Sequence, residues 1–148
     1  MSPYGDFLGI QIGELAAGRA VCSMTLMDHH LNNGGRVHGG VLTSLADTAA
    51  GAAVRTLRPE GKASATTDLN IAFIRPPLGD RLLATAQVIH AGKALFRTEI
   101  AVHSDDKLVA KANATFMIVS PMADGGVPPY CRTCTRIYGE VNPTAVGA

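Results

Sequence analysis

The sequence has almost no net charge: 13 Lys and Arg stand against 12 Asp and Glu, a balance of +1. That leaves no general basic surface for nucleic acid or for an anionic membrane. No run of apolar residues is long enough to span a bilayer, because Asp47 and Arg55 interrupt the best candidate. The start, Met1-Ser2-Pro3-Tyr4-Gly5-Asp6, has neither a basic region nor a long apolar stretch, so no signal peptide is read there. Cysteine is scarce and odd in number: Cys22, Cys131 and Cys134 do not make a disulfide framework. No internal repeat is evident. A cytoplasmic protein is the simplest expectation.

What is present is an apolar, globular composition. Apolar residues make up 47% of the 148 positions and charged ones 17%. That suits one domain with a substantial core. The apolar excess in so small a domain points to some surface covered by another subunit.

One stretch organises the rest. A polar loop, Asp28 to His38, carries Asn32-Asn33-Gly34-Gly35 and runs through His38-Gly39-Gly40 into the most apolar segment of the chain. From Gly39 or Gly40 to about Leu57 the apolar positions 41, 42, 45, 46, 49, 50, 52, 53 and 54 cover more than one face. A helix so patterned is enclosed rather than half exposed. Arg58-Pro59-Glu60-Gly61 stops it. Its start, just after a glycine pair, offers unpaired N–H groups and the positive end of the helix dipole, which suit an oxygen becoming negative. Eight residues beyond Gly39 stands Asp47, the one acidic residue inside the helix. Burial among Leu45, Ala46, Ala49 and Ala50 is expected to raise its pKa toward a useful range.

The flanks alternate with period two, the pattern of strands. Arg19 to Met27 turns Ala20, Cys22, Met24 and Leu26 to one face. From Ala65, Thr67, Leu69, Ile71 and Phe73 alternate with Thr66, Asp68, Asn70 and Ala72 until Pro76-Pro77. Arg81 to His90, Leu95 to His103 and Leu108 to Val119 are further strands, joined by Ala91-Gly92-Lys93 and by Ser104-Asp105-Asp106-Lys107. Residues 13–18 read as a turn and Phe7 to Ile12 as a short apolar segment. Short turns between consecutive strands predict an antiparallel sheet, and with one long helix the class is α+β, the sheet wrapped on the helix. After Pro121 periodicity ends. Residues 121–148 read as a tail or an arm outside the 1–120 domain, with Cys131 and Cys134 forming half of a zinc or redox motif and no second pair to complete it.

His30…Asn32…Gly35…His38-Gly39-Gly40…Leu45…Asp47 fills every position of H-x-N-x-x-G-x-x-H-G-G-x-x-x-x-L-x-D. In this the chain resembles the hotdog-fold acyl-CoA thioesterases, in their PaaI-like branch. The resemblance runs on through Thr66-Thr67-Asp68-Leu69-Asn70 and Ile74-Arg75-Pro76 to about Val119. It implies a hotdog fold and hydrolysis of a small, medium-chain or aromatic acyl-CoA to the free acid and coenzyme A. It implies no metal or other cofactor. It also implies a homodimer with shared active sites, assembled as a dimer of dimers.

Carried over residue by residue, Asp47 is the catalytic carboxylate, as general base or nucleophile, and the Gly39 N–H is the oxyanion hole. Asn32 orients the water or the carbonyl, and Thr66 faces the site. His38 and Gly40 bind or orient substrate. Asp47 and Thr66 of one subunit would face Asn32 and Gly39 of the other. Asn32 also suits an ordinary Asx turn in a glycine-rich loop, and Thr66 an ordinary strand position. Arg36, Arg58, Arg75, Lys93 and Arg97 are candidates for the coenzyme A phosphates, although each is also an ordinary surface charge. Two other readings compete. A hotdog hydratase usually carries Asn-Pro before the motif histidine, where Val37 stands here. A non-catalytic acyl-thioester binder has no use for a carboxylate set beside Asn32.

Overall fold

The computed structural model describes residues 2–120; the Cys131/Cys134 segment and the rest of the tail lie outside them. A short helix α1 (Pro3–Phe7) leads into strands β1 (Gln11–Ala16) and β2 (Arg19–Thr25). A single 3-10 turn at Asp28–His30 and the polar loop precede the long helix α2 (Gly39–Arg55). Four strands follow: β3 (Ala63–Phe73), β4 (Arg81–Ala91), β5 (Leu95–Ser104) and β6 (Lys107–Val119). The six strands form one sheet in the order β1-β2-β4-β5-β6-β3, with every neighbouring pair antiparallel. The sheet curves around α2, which is the α+β hotdog arrangement that the sequence pattern implied. Among the described residues no helix is long and apolar enough to cross a membrane.

Alanine makes this packing possible. Leu45, Ala46, Ala49, Ala50, Ala53 and Val54 of α2 are completely buried. They meet Ala20 and Cys22 of β2, Ala84 and Ala86 of β4, and Ala110 and Ala114 of β6, also at 0% exposure. Small side chains on both surfaces let backbone approach backbone at the packing density of an interior. Cys22 belongs to this contact. Burial pushes its thiol up to about 11, with Arg55 opposing, so it stays a neutral core residue.

Two expectations are corrected. Residues 11–16 are strand β1, not a turn; the turn is confined to Ala17-Gly18. A bulge at Gly13-Glu14 sets two residues opposite Val21, so the alternation that would have marked a strand is broken there. Residues 3–7 form α1, capped by the Ser2 hydroxyl accepting from the Gly5 N–H, with Pro3 in the first turn. Of the apolar segment read at 7–12, Leu8 and Ile10 enter the core while Phe7 stays 71% exposed.

The β1–β2 turn also holds the helix. The Gly18 N–H donates to Thr56 Oγ1 at 2.8 Å, and that hydroxyl donates to the Ala53 carbonyl at the end of α2. The start of α2 is fixed separately by His38. Both ends are therefore anchored, and the sheet surrounds the middle.

Overpacking this contact should be costly. Ala49→Leu adds bulk where no space exists and should lower the free energy of unfolding by about 1–3 kcal/mol. Urea unfolding followed by circular dichroism measures it. An unchanged midpoint would show that the helix–sheet contact is looser than its burial indicates.

Candidate functional site

Asp47 does not sit among Leu45, Ala46, Ala49 and Ala50, as the sequence suggested. Those four face the sheet. Asp47 lies on the opposite side of α2 with Thr43, Ser44 and Thr48, half-buried in the single chain. Its carboxylate is held there: Thr66 Oγ1 donates to Asp47 Oδ1 at 2.9 Å.

The position of Thr66 depends on a bulge. Thr66 pairs with Phe116 and Asp68 with Thr115, so Thr67 is an extra residue on β3. Strict alternation would put Thr66 on the face away from Leu69. The inserted Thr67 turns both Thr66 and Leu69 toward α2, which is why the hydroxyl reaches Asp47. The face assigned to Thr67 from the sequence is corrected accordingly. Its hydroxyl donates across the sheet to the Thr115 carbonyl.

At the start of α2, His38 is the N-cap, and its Nδ1 accepts the Gly40 N–H at 2.9 Å. An accepting Nδ1 places the ring proton on Nε2, so the imidazole offers only a donor to the outside. Gly40 is glycine for a steric reason: a Cβ there would lie 2.9 Å from His38 Nδ1. With its N–H committed to the cap, Gly40 makes room for the His38 imidazole and has no N–H left to offer. The Gly39 N–H, by contrast, has no partner among the described residues. The Phe73 ring lies directly over Gly39, 3.1 Å from where a Cβ would be.

Asn32 closes the loop. Its Oδ1 accepts from the N–H groups of Gly34 (2.9 Å) and Arg36 (3.2 Å), an Asx-type turn. The oxygen is therefore engaged, and the side-chain NH2 is what remains to meet a ligand. His30, in the same motif, is 1% exposed. Its Nδ1 accepts the Met27 N–H, and its carbonyl accepts the His38 N–H. Its Nε2 has no well-formed hydrogen bond among the described residues. Burial first, and the adjacent His29 second, hold the His30 imidazole below the ordinary histidine range, with the Leu8 backbone opposing them.

A pocket of about 410 Å³ opens on Gly39, lined by Val37, Leu42, Phe73, Ile74, Arg75, Pro76 and Pro77. Among the described residues Arg75 is the one charged residue that lines it. A second cleft of about 480 Å³ shares Val37, Pro76 and Pro77 and continues to Arg36, Asp28, Asp80 and Leu78. Sequence reasoning passed over Phe73 as an ordinary strand residue, and it passed over Tyr4 and Ser44. The available signal for α1 was the Ser2-Pro3 pair, a common helix start.

Comparison with known proteins gives one consistent result. The thioesterase superfamily matches residues 34–111, more than half of the chain, from within the glycine-rich loop to the first residues of β6. The acyl-coenzyme A thioesterase PaaI of Escherichia coli K12 is 42% identical over 106 residues, covering 70% of this chain and 73% of that protein. Human acyl-coenzyme A thioesterase 13 is 29% identical over 109 residues, covering 72% and 77%. The solved structure of E. coli PaaI superposes with a TM-score of 0.74 at 36% identity, over 80% of this chain and 86% of the other. A conserved protein from Pseudomonas aeruginosa gives 0.78 at 33% identity, over 80% and 95%.

The buried histidine makes a pH prediction. The folded state disfavours protonated His30, so its contribution is complete above the unfolded value near 6.5 and is lost as pH falls below that toward the lower folded value. The melting temperature should therefore fall on acidification from pH 7 to pH 5.5. His30→Asn, which keeps an acceptor for Met27, should flatten that slope. Equal slopes for both proteins would remove His30 as the cause.

Proposed function

The chain belongs to the thioesterase superfamily and is a thioester hydrolase, and from that premise we propose that it hydrolyses acyl-CoA at a site shared between two copies of the chain. The observation that carries this reading is the Thr66–Asp47 hydrogen bond. It aims a carboxylate out of an otherwise alanine-packed helix, at the one face that the sheet leaves open.

In this reading Asp47 either takes a proton from the attacking water or attacks the thioester carbonyl itself. Thr66 keeps the accepting carboxylate in place. The carbonyl oxygen, as it becomes negative, receives the Gly39 N–H at the positive end of α2. The Asn32 NH2 donates beside it, and the His38 Nε2–H meets the substrate further out. The thiol leaves as coenzyme A and the acid is freed.

Two copies are needed for a simple reason of length. Gly39 and Asp47 are eight residues apart on one helix, about 12 Å along its axis. A reacting carbonyl has to lie about 3 Å from both kinds of group. One chain cannot meet that condition, but Asp47 and Thr66 of one copy with Gly39 and Asn32 of another can. Among the described residues strand β3 is a long sheet edge whose outer N–H and C=O groups meet no neighbouring strand, and a second β3 would satisfy them. Pairing of such dimers into a dimer of dimers is part of the same proposal.

Coenzyme A as the carrier is supported by the names of the relatives and by Arg75. Of the five candidate cations, Arg75 lines the pocket at Gly39 and Arg36 the adjoining cleft. Arg97 instead donates across the sheet to Thr115.

Thiol release from acetyl-, hexanoyl- and phenylacetyl-CoA tests the proposal. Asp47→Asn should lower kcat by about 10²–10⁴-fold. Thr66→Ala should cost less, and Thr66→Ser should recover most of the loss. Mixing Asp47→Asn with Asn32→Ala protein should restore activity, because a mixed dimer holds one intact site. Wild-type rates from Asp47→Asn would overturn the role of Asp47, and failure of the mixture to recover would overturn the shared site.

A further inference from the structure

Helix α1 carries two aromatic rings that the fold does not bury. Tyr4 is 60% exposed and Phe7 is 71% exposed. They stand three residues apart, on one side of the helix. Their backbone is nonetheless well anchored. Gly5 is buried, its carbonyl accepts the Ile10 N–H at 2.9 Å, and Leu8 and Ile10 are in the core. The rings are thus presented outward by a fixed support.

The Tyr4 ring is held by a directed chain of hydrogen bonds. Ser44 Oγ donates to the Gly40 carbonyl at 2.8 Å, which commits its hydrogen. The 2.8 Å contact between Tyr4 and Ser44 therefore has the phenol as donor. A phenol engaged in this way is not free to move a proton to substrate. What it contributes is a ring fixed across the open face of α2. Ser44 is one turn before Asp47, and side chains three apart on a helix have Cβ atoms about 5–6 Å apart. The Tyr4 hydroxyl is thus docked one helical turn from the carboxylate.

We propose that Tyr4 is a specificity-determining residue, whose ring, tied to Ser44, forms the wall that limits the length of the acyl group at Asp47. The proposal rests on the Asp47 site described above and goes beyond it. The carbonyl carbon must come within about 3–3.5 Å of the carboxylate. An acyl group that runs from Asp47 along the Ser44 side of α2 meets the docked Tyr4 ring within its first few carbons. A ring docked this close to the reacting carbon takes up the space a longer chain would need, so it leaves room for compact groups and obstructs long ones.

The experiment compares kcat/KM for acetyl-, hexanoyl- and palmitoyl-CoA in wild type, Tyr4→Ala, Tyr4→Phe and Asp47→Asn. Oligomeric state is followed by light scattering. Tyr4→Ala should raise the palmitoyl-to-acetyl ratio by roughly tenfold or more, the scale on which a pocket discriminates by methylene groups. Tyr4→Phe keeps the ring but loses its tie to Ser44, and should shift that ratio less than Tyr4→Ala does. If Tyr4→Ala does not fold, Tyr4→Leu should give a smaller shift in the same direction. Equal changes on all three substrates, or a change of oligomeric state with unchanged ratios, would overturn the proposal and assign the ring to a subunit contact. Full activity of Asp47→Asn would strike at the underlying site instead, so the two failures are separable.

Discussion

The contact between α2 and the sheet is the constraint on which the rest depends. Alanine faces alanine across it, at Ala46, Ala49, Ala50 and Ala53 on the helix and Ala84, Ala86, Ala110 and Ala114 on the strands. Such a surface stabilises only by close approach, since each side chain alone buries little area. Close approach in turn requires the sheet to curve, and a curved sheet encloses most of the helix. Polar side chains are left a single stripe. Thr43, Ser44, Asp47 and Thr48 all lie on it. An ionised group elsewhere in α2 would be buried without a partner, at a cost no local contact offsets. The packing therefore fixes where a carboxylate can be, and Thr66 fixes how it points.

Much of this was legible in the sequence, for local reasons. Helix α2 declared itself by its apolar positions, its glycine start and the Pro59 stop. Strands β4, β5 and β6 declared themselves as long runs between short turns, with β5 alternating, because each buries one face on the helix. The Asp105-Asp106 turn was visible between them. What failed to read was whatever depends on the partner strand. The bulge opposite Val21 hid β1, and the extra Thr67 reversed the face assigned around Thr66. A bulge is a property of a pair of strands, and period-two reasoning on one strand cannot detect it. Asp47 shows the same limit in another form. Its apolar neighbours in sequence face the core, while it turns away from them.

The His38-Gly39-Gly40 step separates three roles that the letters alone merge. His38 holds the helix start through Nδ1, and this engages the only ring nitrogen able to accept a proton in that tautomer. A histidine so committed has no free acceptor nitrogen in that tautomer, which agrees with the proposal that the base is Asp47. Gly40 makes room for the imidazole and gives it an N–H. Gly39 keeps its N–H free and lets the Phe73 ring close over it. Replacing any one by a larger residue would disturb a different function, although all three sit within a single turn.

Strand β3 connects these two parts of the chain in a way that bears on assembly. Thr66 near one end reaches Asp47, and Phe73 at the other end covers Gly39. Seven residues of strand separate them, about 23 Å. In the proposed arrangement they serve, within one chain, two distant half-sites. An antiparallel pairing of two β3 edges about a twofold axis near Asn70 would set Thr66 of one copy against the Phe73 end of the other, and the reverse at the second site. One symmetric contact would then complete two sites together, satisfy the open sheet edge and cover the apolar surface around Phe73 and Ile74. A monomer would keep a carboxylate with no oxyanion donor in reach, so in this arrangement assembly and activity share one cause.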